Sequence, residues 1–319
     1  MRKENYQNPT LTPKDGVLAY VIALSVSLIV GTLIVFLPEG NAQTLANYFV
    51  TQLGFLIVPF LYLKSRSISY LDAVPLKGKL NPVALLLIIP ITIGAFLQNT
   101  ILSVAFNWLL EAIGITPTVN LPSTDGALNT LLAVVAICIL PALAEELLFR
   151  GIILSSLKSK GLMTSCLLSA VIFALSHFNP AQFVHQAILG FILAYITVAS
   201  GSIWYGTVMH LLNNLIALFV GMIIPAYNDL AVLNSQNLII LIVMCLVGVV
   251  ILTLSLVAFY KVATQPHLKT HSNPLKLLSK KSAPEWWASD KSKSPWIIGF
   301  IIFMIAVSIL TALTQYLML

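Results

Sequence analysis

Hydrophobic residues in this chain gather in long blocks separated by short polar connections. An α-helix rises about 1.5 Å per residue, so roughly 20 apolar residues cross the hydrocarbon of a bilayer. Nine blocks meet or approach that length, at about 16–37, 44–63, 82–104, 128–149, 161–178, 182–199, 203–225, 237–259 and 296–317. They predict an all-α fold: a polytopic transmembrane helical bundle of about nine spans. The block from 82 runs on to about 113, which predicts a tilted helix or an interfacial continuation ending at Glu111. The blocks at 161–178 and 182–199 are short, with Asn179-Pro180 between them.

Composition agrees with the pattern. The chain is 58% hydrophobic and 9% charged, whereas a soluble domain carries about 25% charged residues to coat its surface. A soluble bundle is thereby excluded. The 17 Lys and Arg residues are segregated. With the N-terminus placed in the cytoplasm, they fall in 2–14, 64–79, 150–160 and 261–293, and none falls in the outer connections. Cationic connections resist translocation, so this bias predicts N-terminus in and C-terminus out. The net charge of +6 belongs to connections and not to a basic face, so no nucleic-acid partner is expected. The connection 261–295 carries four prolines, many lysines and Trp286-Trp287, and reads as a basic linker beside anionic lipid. No small-residue cleavage site follows the first block, which reads as a retained helix. Cys138, Cys166 and Cys245 lie in apolar blocks and read as small buried hydrophobes.

Against that background the ionisable residues within the blocks stand out. They are Glu145, Glu146 and Arg150 in the fourth, His177 in the fifth, His185 in the sixth and His210 in the seventh. A charge at the bilayer centre costs about 2.5–3.5 kcal/mol or more, so such residues face the bundle interior and carry function. Glu146 and Arg150 are four apart on a helix and can pair. Glu145 points about 100° away from Glu146, free to face a cavity as a general base or acid. His210 and Asn214, also four apart, share one face and offer N–H donors to an oxyanion. For each group the structural alternatives are an ion pair that reaches the cytoplasm, a His bonded to a backbone carbonyl, or an Asn joining two helices. For His185 and Gln186 helix–helix hydrogen bonding is the expected role. His177 lies near the outer end of its block and His210 about 10 Å into its own. They meet only if the fifth helix is tilted or deep, or if His-Phe-Asn-Pro folds back inside the protein around a polar cavity.

The motifs EELLFR (145–150), FALSH (173–177) and HLLNN (210–214) follow one another in order. They resemble those of the CPBP family, the CAAX-processing and bacteriocin-processing intramembrane endopeptidases, whose pattern is EExxxR, FxxxH, HxxxN. The resemblance covers roughly residues 127–220. It divides the chain into N-terminal helices over 1–126, a CPBP-like catalytic core over 127–220, and C-terminal helices over 221–319 with the basic connection at 261–295. It implies an endopeptidase cutting membrane-embedded or membrane-associated peptides. Glu145, His177, His210 and Asn214 would be catalytic, and Glu146 and Arg150 supporting. Water activated by Glu145 and His177 without a metal is the expected mechanism. In the alternative, Glu145, His177 and His210 ligate zinc with water in the fourth position. A prokaryotic plasma membrane is the expected location. The competing functions are a non-proteolytic scaffold or bacteriocin self-immunity protein on the same fold, and a transporter with a proton-relay glutamate. The chain shows no internal repeat of the transporter kind, no His-Glu-x-x-His helix and no Gly-x-Ser-x-Gly turn. No aspartate is expected inside a span. The sequence leaves the substrate and the oligomeric state open.

Overall fold

A computed structural model describes residues 11–76, 78–115, 120–223, 235–263, 299–302 and 304–305. All regular elements among them are helical. The long helices are α1 (Pro13–Ile34), α2 (Asn41–Ser65), α3 (Pro82–Ala112), α4 (Ala127–Ser156), α5 (Leu162–Leu175), α6 (Phe183–Ser200), α7 (Ile203–Ile223) and α8 (Ser235–Ala263). Seven of them, with α6 counted from Pro180, are long and apolar enough to cross a membrane; α5 is shorter. Together they account for eight of the nine blocks. Most of the ninth, at 296–317, and most of the connection 261–295 lie outside the described residues. The block beginning at 82 is one continuous helix through Pro90 to Ala112.

Local chemistry sets the helix ends. Thr12 and Asp15 form a capping box at the start of α1, with Pro13 in the first turn. Asp15 also accepts from the Tyr62 hydroxyl at 2.9 Å and faces Arg66 at 3.5 Å, which ties the ends of α1 and α2 together. An aspartate is therefore inside a span, contrary to expectation, but as an end cap. The Asn81 side chain accepts from the backbone of Val83 and Ala84 to open α3. Gly201 closes α6 in the left-handed conformation, φ 68°.

Three apolar clusters lie among the described residues, the smallest around Ala19, Leu63, Ile152 and Ile203. One joins α3, α6, α7 and α8 through Ile88, Ile91, Leu193, Tyr205 and Phe259. Another joins α1, α2, α4 and α5 through Tyr20, Phe55, Phe149 and Phe173. Lipid tails are as apolar as leucine, so the hydrophobic effect does not hold spans together, and close packing must. At the α3–α8 crossing that packing is backbone on backbone. A Cβ on Gly94 would stand 2.6 Å from the Leu252 nitrogen, and one on Gly248 would stand 2.6 Å from the Gln98 nitrogen.

Candidate active site

The polar centre is built on α4, which is not a uniform α-helix. It widens into π-helical turns over Val134–Ile139 and again over Glu146–Ile153. Such turns, with i→i+5 bonds, are rare and recur at functional sites. The first has a visible cause. In an α-helix the carbonyl of Ile137 accepts from residue 141, but residue 141 is proline, which has no N–H and crowds that carbonyl. Asn214 Nδ2 donates to the Ile137 oxygen at 3.0 Å. An α7 side chain thus satisfies a carbonyl left open at membrane depth.

The second wide turn carries the EELLFR motif. Glu146 and Arg150 pair as expected, Oε1 to Nη1 at 2.8 Å, and both are fully buried. Arg150 had been counted with the cytoplasmic charges, but its side chain is enclosed. It also donates from Nη2 to the Gly190 carbonyl at 3.2 Å and lies 4.2 Å over the Phe173 ring. Glu146 Oε1 further accepts from His210 Nδ1 at 3.0 Å, which fixes the orientation of that ring. Gly206, one turn before His210 on α7, leaves the space that Glu146 fills. A Cβ there would stand 2.9 Å from Glu146 Oε2.

Glu145 does not diverge from Glu146 as an ideal helix predicts. It ends the α-helical stretch and Glu146 begins the wide turn, so successive side chains rotate by less than 100°. Both carboxylates converge on His210, with Glu145 Oε2 lying 3.8 Å from its Nε2. Glu145 is 6% exposed, and its Oε1 accepts from Gln52 Nε2 of α2 at 2.9 Å. Its Oε2 has no hydrogen-bond partner among the described residues.

His177 reaches this centre because α5 is short. Its 14 residues rise only about 21 Å, less than the roughly 30 Å that a full crossing of the hydrocarbon needs. The chain then turns back. Phe178 takes a left-handed φ of 48°, and the Asn179 side chain accepts from Ala181 N at 3.0 Å to start the turn Pro180–Gln182. The chain therefore reverses at His-Phe-Asn-Pro, where a half-buried turn joins α5 to α6. His177 Nδ1 lies 2.9 Å from the Phe173 carbonyl, so Nε2 is the ring nitrogen left for the site. The Phe173 ring meets both the His177 and the His210 ring in edge contacts, with centroids 5.0 and 5.8 Å away. From Ser176 to Ile188 every residue is half-buried, which leaves this side of the centre the least enclosed.

The structure therefore gathers Glu145, Glu146, Arg150, His177 and His210 around Phe173. Asn214 lies one turn from His210, with one amide N–H given to Ile137 and its Oδ1 accepting from Asn213 at 3.3 Å. His185 joins helices through its backbone, whose carbonyl accepts from Asn99 of α3 at 3.0 Å. Among the described residues no three His, Cys, Asp or Glu side chains come together as a metal-binding group. Glu145, His177 and His210 do not fit a zinc ion as they stand, and no step below passes through one. Sequence reasoning missed Gln52. It weighed ionisable residues within the blocks, and a search for amide side chains at mid-block would have found it.

Comparison with known proteins supports the motif assignment. Residues 127–216 match the family described as type II CAAX prenyl endopeptidase Rce1-like, consistent with the CPBP resemblance. No curated protein and no solved structure gives a match. The matched segment is similar to a CAAX-type intramembrane protease domain, and together with the seven long apolar helices it supports an integral membrane protein.

Proposed function

Taking residues 127–216 as an Rce1-like segment, we propose that this protein is an intramembrane endopeptidase whose nucleophile is a water molecule activated at Glu145. The observation that carries the reading is the Glu145 carboxylate. It is buried, held by Gln52 through one oxygen, and turned toward His210 with the other oxygen unpartnered. A carboxylate oxygen without a partner in an apolar bundle is costly unless a ligand completes it.

The steps assigned to each residue follow. Glu145 Oε2 accepts a proton from water as its oxygen attacks the scissile carbonyl, and His177 Nε2 accepts a hydrogen bond from a substrate backbone N–H to hold that carbonyl in place. Negative charge develops on the carbonyl oxygen. His210 Nε2 and the second N–H of Asn214 donate to it. The Nδ1 proton of His210 rests on Glu146, so Nε2 donates only when the ring carries both protons. Arg150 holds Glu146 in place for that task. The tetrahedral intermediate collapses, the C–N bond breaks, and the leaving nitrogen takes the proton from Glu145.

The substrate is a membrane-embedded or membrane-associated peptide, and the prenylated CAAX tail named in the family description is the first to test. The lipid bilayer is the other partner, and the setting is a prokaryotic plasma membrane.

The test is cleavage of a farnesylated CAAX peptide, and of membrane peptides compared between cells, by wild type, Glu145→Ala and His210→Ala. We expect both variants to fold and to lose roughly 10²–10⁴-fold in rate, the span of general acid–base contributions. Folded Glu145→Ala that cleaves at the wild-type rate overturns the reading. A scaffold or self-immunity role would then take its place.

A further inference from the structure

The segment 127–216 does not complete the Glu145 environment by itself. Gln52 stands on α2, 93 residues before Glu145 and outside the matched segment. Its side chain is 6% exposed, in a helix whose neighbouring faces are apolar. An amide at that depth costs free energy unless both its donor and its acceptor are used. Its donor is used, since Nε2 gives to Glu145 Oε1 at 2.9 Å. The carboxylate can only accept there, so Oε1 must be the amide atom turned away. Among the described residues that Gln52 oxygen is buried and unpartnered, as is the second oxygen of Glu145. The two idle acceptors belong to two groups already joined by a hydrogen bond. A water molecule has two O–H donors to offer to such a pair.

We infer that Gln52 is a positioning residue for the hydrolytic water, holding Glu145 Oε1 by its N–H and taking one water O–H on its own Oε1. The inference rests on the reading of Glu145 as the base. In this arrangement Oε1 of Glu145 is occupied by Gln52, so the proton leaves water for Oε2, the oxygen nearer His210. The water's second hydrogen points to Gln52. Its lone pair is thereby aimed at the scissile carbonyl before the substrate arrives. A helix outside the Rce1-like segment thus shares in the chemistry.

Three measurements on the full-length protein test this. Gln52→Met keeps the length and removes both hydrogen-bonding groups. It should lower kcat for the farnesylated CAAX peptide by roughly 10–10²-fold with KM unchanged, the size of a misplacement effect. Gln52→Glu restores the donor only while the new carboxyl carries a proton, so its activity should recover toward acid pH, where Gln52→Met stays low. A packing role would move neither the KM–kcat split nor the pH profile. A double-mutant cycle of Gln52→Met with Glu145→Met, read by thermal unfolding, needs no substrate and should be non-additive. Wild-type kcat in Gln52→Met while Glu145→Ala is inactive overturns the inference and leaves the Glu145 reading intact. An active Glu145→Ala overturns that reading first. Additive unfolding effects in the cycle overturn the Gln52–Glu145 bond itself.

Discussion

Glycine serves two ends in this bundle. Between α3 and α8, Gly94 and Gly248 bring two backbones into contact with nothing polar to accommodate. Between α4, α6 and α7, Gly206 and Gly190 stand beside buried charge. Gly206 leaves room for the Glu146 carboxylate, and Gly190 offers its carbonyl to Arg150. The first seam is held by van der Waals contact, the usual cohesion between helices in lipid. The second is held by an ion pair that is stable only as a set, because a buried charge without its partner is strongly destabilising. A contact seam should fail gradually, whereas a charged centre should fail when one member is removed.

The largest effect tests that difference directly. Arg150→Met strands Glu146 in the bundle and should cost roughly 3–5 kcal/mol in unfolding measurements. Adding Glu146→Leu should return much of the loss without returning activity. A full loss that persists in the double variant would remove the claim that pairing holds the centre. Next, Gly206→Ala pushes a methyl against Glu146 and should cost roughly 1–3 kcal/mol as overpacking. It should also lower cleavage, because Glu146 orients His210. Gly94→Ala should cost a similar roughly 1–3 kcal/mol, yet leave the rate per folded molecule unchanged. Equal losses of rate in the two glycine variants would erase the contrast. The smallest effect is Asn99→Leu, which removes one helix–helix hydrogen bond to His185. Such bonds average about 0.6 kcal/mol in membranes, and thermal unfolding should shift by no more than that implies.

Much of this was legible in the sequence because the bilayer imposes its own periodicity. Block length located the eight long helices among the described residues, and the rule that charges in spans are costly singled out Glu145, Glu146, Arg150, His177 and His210. The Glu146–Arg150 pair followed from i,i+4 spacing. Spacing failed for Glu145, where the wide turn changes the rotation per residue and turns both carboxylates to His210. The bond from Asn214 to the carbonyl that Pro141 cannot serve is the helix-joining role that stood as the structural alternative for that residue, although spacing did not name its partner. Gln52 was passed over because a neutral amide carries no charge penalty to draw notice, yet it lies against the central carboxylate. These misses share a cause: hydrogen bonds between distant helices leave no trace in local pattern.

The shortness of α5 has a consequence for the lipid. Met163 and Leu167 are 40% and 50% exposed, so part of this helix faces the acyl chains. About 21 Å of helix cannot match about 30 Å of hydrocarbon, and the mismatch is relieved by thinning the bilayer or by drawing polar headgroups inward. A bilayer around this protein should then be thinner beside His177 than beside the longer helices. Bilayers of shorter acyl chains should favour the protein, because less lipid has to deform to meet it.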